Sequence, residues 1–279
     1  INYMTQNPLM TTLSYTDMDV VMIEGYKKSL GRKIIVLGTD SEQETIKRYH
    51  NNEFENIIAV VGSSHESPVR NIPYFSRDNL EGIKQFLLDT WNLLIKKRPL
   101  YGLVLGGGKS QRMGIDKGTL NYFGKGQIQH VADLLHKITD KTFLSCRSEQ
   151  KNDQHIIEIE KIEDKFTGFG PTGGIISAMH EYPEAAWLVI ACDLPYLNRS
   201  TLANLVDQRN GFKLATCYNN PEKNWPEPLC TIYEPKAVDK LGMYLMNQRP
   251  CPRKVLFNSN INKIELKTKN ALDNINNEE

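Results

Sequence analysis

Tyr101 to Thr119 reads YGLVLGGGKSQRMGIDKGT. Tyr101–Leu105 is an apolar run of strand length that feeds directly into Gly106, Gly107 and Gly108, and the loop that follows carries Lys109, Ser110, Arg112 and Lys117. Glycine has no Cβ, so successive residues can turn their amide N–H groups towards one point and bind phosphate oxygens there, while the basic side chains supply the charge. The pattern fits the handling of a nucleoside triphosphate. It is not a Walker loop, because Lys109-Ser110 follows Gly108 without the four-residue span that G-x-x-x-x-G-K-[ST] requires. Nor is it the dinucleotide fingerprint, since Gln111 stands where the third glycine of G-x-G-x-x-G would fall.

Outward from this loop, strand-length apolar runs alternate with amphipathic stretches, which predicts an α/β fold with a largely parallel sheet. The basic run Lys96-Lys97-Arg98-Pro99 reads as a boundary, giving a first, smaller α/β domain over residues 1–98 and a second, Rossmann-like one over residues 99–279. Strands are expected in the first at Val20–Ile23, Lys33–Leu37, Ile57–Val61 and Ile72–Phe75. A helix capped by Asp78 or Asn79 follows, with Leu80, Ile83, Phe86, Leu87 and Trp91 on one face. The second half is expected to hold a helix over Gln127–Lys137, a strand at Thr142–Ser145, a helix from Thr172, a strand at Trp187–Ala191, a helix from Ser200, and strands near Lys213–Cys217 and Leu229–Tyr233.

Composition narrows the function. The 34 Lys and Arg nearly balance the 33 Asp and Glu, which argues against a duplex nucleic-acid partner, so anion binding has to be local. Five cysteines, at 146, 192, 217, 230 and 251, form no C-x-x-C pair and indicate neither a zinc site nor a disulfide framework; a cytoplasmic location is the simplest expectation. No stretch reaches the length of a membrane span, and the N-terminus does not read as a signal peptide. The chain begins at Ile1 and stops at Asn277-Glu278-Glu279, so both ends are expected to be trimmed.

The segment L-x-G-G-x-S-x-R-M-G-x-D-K-G, from Leu105 to Gly118, resembles the signature loop of the molybdenum cofactor guanylyltransferases, within the wider nucleotidyltransferase family. Later segments are similar to the same family in the same order. Ile162-Glu163-Asp164 followed by Gly168-Phe169-Gly170-Pro171-Thr172-Gly173-Gly174 resembles an acid and a G-P-x-x-G turn that opens a helix. By resemblance Asp164 contacts guanine, whose adjacent N1–H and N2–H donors suit two carboxylate oxygens, while Gly170, Pro171 and Gly173 let the backbone approach base or ribose. The alternative for Asp164 is a surface acid between Lys161 and Lys165.

Trp187 to Pro195 reads WLVIACDLP, a buried-type strand ending in an acid. The resemblance makes Asp193 the ligand of a catalytic Mg²⁺; the alternative is a turn or capping aspartate. Cys192 reads as a small core residue. Trp225-Pro226-Glu227-Pro228-Leu229 and Arg249-Pro250-Cys251-Pro252-Arg253-Lys254 look like the family's substrate-side loops, with Arg253 and Lys254 either holding an acceptor phosphate or starting a solvated helix. Asn274-Ile275-Asn276-Asn277-Glu278-Glu279 resembles the family's N-x-N-T-P-E-D segment with Thr-Pro replaced, and Asn274 and Asn276 suit hydrogen bonding to a pterin or a phosphate.

The resemblance implies attack by the terminal phosphate of molybdopterin on the α-phosphorus of GTP, with Arg112 on the leaving pyrophosphate, Lys117 on the α-phosphate and Mg²⁺ on Asp193. The substrates are then GTP and molybdopterin, and the partner proteins a molybdoenzyme or other cofactor-biosynthesis proteins. Rival readings are a CTP-dependent cytidylyltransferase and a non-catalytic molybdopterin carrier. In the first half, Asp19 to Lys27, DVVMIEGYK, resembles the segment after the nucleotide site of the small P-loop GTPase adaptor found with the guanylyltransferase. Residues 1–18 hold no Walker loop, so no GTPase activity is assigned to this half; Glu24-Gly25 simply ending a core strand is the alternative.

Overall fold

The computed structural model describes residues 15–25, 31–64, 67–106, 126–148, 159–220, 224–267 and 270–273. They form two compact units, one of residues 22–97 and the other of residues 15–21 together with 98–273.

The first unit is small. Strands β1 (Lys33–Val36), β2 (Ile57–Gly62) and β3 (Tyr74–Ser76) form a parallel sheet in that order, with helix α1 (Glu42–His50) as the crossover between the first two. Ile35, Leu37, Val60 and Val69 make its core, against which Ile46 and Tyr49 of α1 pack. Helix α2 (Leu80–Lys97) starts where the sequence expects, because the Asn79 Oδ1 accepts from the Gly82 N–H at 3.0 Å. Ile83, Phe86, Leu87 and Trp91 are half-buried, but Leu80, expected on the same face, is 72% exposed.

One expected strand is absent. Val20–Ile23 is not in a sheet, and Met22 and Ile23 are 72% and 52% exposed. A β-branched run makes a strand only where a neighbour completes its ladder. Here the polar residues just before it make the contacts instead. Asp17 pairs with Lys240 at 2.5 Å and accepts from the Asn260 N–H at 2.9 Å, and Asp19 pairs with Lys213 at 2.8 Å.

The second unit carries a sheet of seven strands among the described residues. These are β4 (Leu100–Leu105), β5 (Lys141–Cys146), β6 (Glu160–Glu163), β7 (Ala186–Ala191), β8 (Ala215–Asn220), β9 (Trp225–Tyr233) and β10 (Asn262–Glu265), in the spatial order β10-β8-β9-β7-β4-β5-β6. Only β9 runs antiparallel to its neighbours. Helices α3 (Gln127–Leu135) and α5 (Arg199–Asp207) cover one face, with Val131, Leu135, Leu202 and Leu205 packed on Leu188 and Ile190. Helices α4 (Pro171–Glu181), α6 (Ala237–Met246) and α7 (Pro252–Phe257) cover the other, with Ile175, Leu241 and Val255 packed with Trp187 and Val189. Strand β7 is therefore buried at every position, which is why it reads as an unbroken apolar run.

Arg98, the last charge of the basic run, turns inward. It donates to the Glu234 carboxylate at 2.5 Å while Arg209 binds the same group through Nε at 2.7 Å and Nη2 at 3.0 Å; the Glu234 side chain is 1% exposed. None of the five cysteines is in a disulfide, and Cys192 lies in the core as expected.

Candidate active site

The order of the strands makes a crevice. From β4 the chain steps outward through α3 to β5 and on to β6, then α4 carries it back to β7 on the opposite side of β4. At such a reversal the loops beyond the carboxyl ends of the two strands diverge and leave room for a ligand. Leu105 and Gly106 end β4 there, and Asp193 follows β7 directly across from them, β4 and β7 being parallel and in register up to Leu105↔Ala191. Gly107, Gly108, Lys109, Ser110, Arg112 and Lys117 lie outside the described residues, as do Asn274 and Asn276.

The Asp193 Oδ1 is buried and has no hydrogen-bond partner among the described residues. A desolvated carboxylate oxygen left unpaired is costly, and the cost is recovered by a ligand that donates protons or positive charge. The capping role belongs elsewhere: α5 is capped by Asn198, whose Oδ1 accepts from the Thr201 N–H at 3.0 Å. No group of three or more His, Cys, Asp or Glu residues suited to a metal occurs among the described residues. A single carboxylate oxygen suits Mg²⁺, which keeps most of its waters.

Asp164 follows β6 and faces the start of α4. Its Oδ1 accepts from the Phe166 N–H at 2.9 Å and stands 3.3 Å from the Ser177 hydroxyl. Burial pushes this carboxyl above its ordinary range, against the Phe166 amide, the Ser177 hydroxyl and Arg147, which pull it down. The acid is thus built into the turn through one oxygen, while Oδ2 has no hydrogen bond among the described residues. Around it the turn is tight. Gly170 sits at φ 57°, ψ −143°, a region open essentially to glycine, and Pro171 then begins the helix. A Cβ at Gly173 would stand 2.2 Å from the Phe166 carbonyl oxygen and 3.0 and 3.1 Å from the Asp164 carboxylate oxygens, so only glycine lets the helix start lie against the acid. Thr172, fully buried, donates to the Pro250 carbonyl at 2.9 Å and ties this turn to the loop leading into α7.

That loop leads to Arg253, the second residue of α7, placed near the start of β9. Pro226 and Pro228 have no N–H to donate, and the β8–β9 register slips between Cys217 and Asn219, opposite them. Because β9 is antiparallel, its beginning lies at the carboxyl end of β7. The Ile190↔Cys230 register, carried onward, brings Glu227 level with Asp193. Burial pushes the Glu227 carboxyl up and the Asp193 charge adds to it, while the Leu229 amide and Arg253 offset part of the rise. The Glu227 Oε1 accepts from the Leu229 N–H at 3.2 Å. Arg253 packs its guanidinium over the Trp225 ring at 4.8 Å, 3.9 Å from the Glu227 Oε2. Lys254, its neighbour on α7, is exposed. Glu227 and Trp225 are the residues to which sequence reasoning gave no role of their own. Their only local signal is an acid between two prolines, and their meaning depends on an antiparallel pairing that no motif records.

Known proteins place this geometry in a family. The MobA-like NTP transferase domain matches residues 102–261. The chain is 40% identical over 162 residues to a molybdenum cofactor biosynthesis bifunctional protein of Synechocystis, covering 58% of the chain and 47% of that protein, so it spans about half of that relative's length. It is 32% identical over 145 residues to a probable molybdenum cofactor guanylyltransferase of Natronomonas pharaonis, covering 49% of the chain and 69% of that protein. Among solved structures, a molybdopterin-guanine dinucleotide biosynthesis protein A from Archaeoglobus fulgidus superposes with a TM-score of 0.51 at 24% identity, over 59% of this chain and 83% of that one. A putative protein from Aquifex aeolicus superposes with a TM-score of 0.54 at 19% identity, over 64% of this chain and 94% of that one. These two likenesses bear out the mixed α/β fold with its mostly parallel sheet. The family match covers more than half of the chain, and the protein belongs to the MobA-like NTP transferase domain family.

Proposed function

We propose that the protein transfers GMP from GTP to the terminal phosphate of molybdenum-loaded molybdopterin and releases pyrophosphate. The observation that carries the reading is the buried Asp193 Oδ1, without a hydrogen-bond partner among the described residues, at the crevice between β4 and β7, opposite the start of the glycine-rich loop. The names of the relatives, guanylyltransferase among them, support GTP and the pterin acceptor over other pairs.

In this reaction an oxygen of the acceptor phosphate bonds to the α-phosphorus of GTP, and the bond from that phosphorus to the bridging oxygen breaks, its electron pair leaving with pyrophosphate. No covalent enzyme intermediate is needed. Both reactants are anions, so the residues work by positioning and by neutralising charge. Gly106, Gly107 and Gly108, with Lys109, Ser110 and Arg112, hold the β- and γ-phosphates; Lys117 sits on the α-phosphate; Asp164 with Gly170, Pro171 and Gly173 holds the base. Asp193 would hold Mg²⁺, which supplies further neutralisation of the phosphates when bound. Arg253, with Lys254, Asn274 and Asn276, serves the acceptor. Residues 1–98 are read as the adaptor-like partner region.

The test is pyrophosphate release by the purified chain with Mg²⁺ and molybdenum-loaded molybdopterin, in parallel with GTP, CTP, ATP and UTP. Release with GTP alone supports the reading. Release with CTP alone overturns Asp164 as a guanine reader, and silence with all four despite tight pterin binding makes the protein a carrier.

A further inference from the structure

The guanidinium of Arg253 is held without being satisfied. Its Nε is buried and has no hydrogen-bond partner among the described residues. Its Nη2 lies 3.9 Å from the Glu227 carboxylate, beyond hydrogen-bond reach, and its central carbon lies over the Trp225 ring, 4.8 Å from the centroid. Trp225 and Glu227 are two residues apart on β9 and so project from the same side of the strand. An arginine that served only to pin α7 to β9 would spend its donors on nearby carbonyls or on a paired carboxylate. This one lies over the Trp225 ring and near a charge at a distance, and makes no hydrogen bond among the described residues.

We propose that Trp225 is a positioning residue which, with Glu227 flanking, presents the donor edge of Arg253 to a phosphate monoester of the acceptor substrate. The inference rests on the transfer reaction proposed above and names the part of the acceptor that the site takes. Strand order supports the acceptor over the donor as the source of that phosphate. The glycine-rich loop leaves β4, Asp193 leaves β7, and Arg253 stands at the start of β9, on the far side of β7 from β4. An in-line displacement needs the leaving group and the attacking oxygen on opposite sides of the phosphorus. The sheet offers that order, with the leaving pyrophosphate at β4, the reacting phosphorus at β7 and the incoming phosphate at β9. Arginine is the side chain suited to a phosphate in this setting, because its planar fork stacks and donates at the same time.

The experiment measures inorganic phosphate binding to the full chain by calorimetry, with Mg²⁺ and a saturating GTP analogue whose α–β bridge is methylene, so that the nucleotide phosphate sites are filled. Wild type binds phosphate and Arg253→Gln loses it. Trp225→Leu weakens it about three- to thirty-fold, the range expected for a stacked cation at a partly desolvated site, and Trp225→Phe, which keeps a ring, restores affinity to within about threefold of wild type. Affinity for the GTP analogue stays unchanged in all three variants, and in turnover assays Trp225→Leu raises the acceptor KM while leaving that for GTP. Unchanged phosphate affinity in Trp225→Leu, a parallel loss of nucleotide affinity, or phosphate bound equally by Arg253→Gln overturns the proposal. If phosphate binds as described and yet no nucleotide yields pyrophosphate with molybdopterin, the transfer reading fails while the positioning of Arg253 stands.

Discussion

Replacing Glu234 by Gln tests how the second unit is held at the end of its sheet opposite the crevice. The carboxylate is 1% exposed and accepts from two guanidinium groups, Arg98 at 2.5 Å and Arg209 at 2.7 and 3.0 Å. The amide keeps the shape but removes the negative charge that the two cations share and turns an NH₂ towards one of them. Breaking a buried charge group in this way costs about 3–5 kcal/mol. Arg98 and Arg209 are 26% and 13% exposed, so water recovers part of the lost solvation and the lower figure, about 3 kcal/mol, applies. For a unit of this size each kcal/mol lowers Tm by about 2–4 °C, so the expected drop is about 6–12 °C. Thermal and urea unfolding followed by near-ultraviolet circular dichroism reads it, with Arg98→Met expected to cost less than Glu234→Gln because it removes one more exposed partner. A loss below about 1 kcal/mol in Glu234→Gln would refute the argument that this carboxylate is the shared counter-ion of both arginines.

Further outcomes are expected elsewhere. Lys117→Ala should lower turnover far more than GTP affinity, and equal losses in single-turnover rate and nucleotide Kd would contradict its assignment to the α-phosphate. Gly173→Ala should cost about 1–3 kcal/mol and weaken GTP binding, because the added methyl meets the Phe166 carbonyl and the Asp164 carboxylate; urea unfolding and nucleotide titration check it together. Asp17 has its carboxyl held below the ordinary value of 3.8: burial opposes this, but Lys240, the Asn260 amide and Lys236 outweigh it. Its contribution to the docking of residues 15–19 is therefore fully present above that value and is lost as pH falls below it. Hydrogen exchange at the Asn260 amide should accelerate in that acid range for wild type and be fast throughout in Asp17→Asn.

The legible parts of the fold were those whose burial is symmetrical. Strand β7 shows its apolar run because both faces are covered, and α4 announces itself through Gly170 and Pro171. The outer strands were invisible for the opposite reason: β6, Glu160-Lys-Ile-Glu, and β10, Asn262-Lys-Ile-Glu, have few buried positions and carry charge, so nothing in their composition separates them from loops. Val20–Ile23 misled because β-branched composition reports an aptitude for pairing and says nothing of a partner. In the candidate site, Asp164 and Asp193 each sit at the end of one continuous motif. The neighbourhood of Trp225, Glu227 and Arg253 depends on β9 running antiparallel and on α7 returning over it, a contact between distant parts of the chain.

The bond from the Thr172 hydroxyl to the Pro250 carbonyl gives the crevice a common datum. Thr172 belongs to the turn that faces Asp164, and Pro250 to the loop that delivers Arg253, so the two ends of the crevice are measured from one fixed point. The bond links α4 to the loop before α7, and so bears directly on the span between them. For a reaction between two anions, that span is the dimension that has to be conserved.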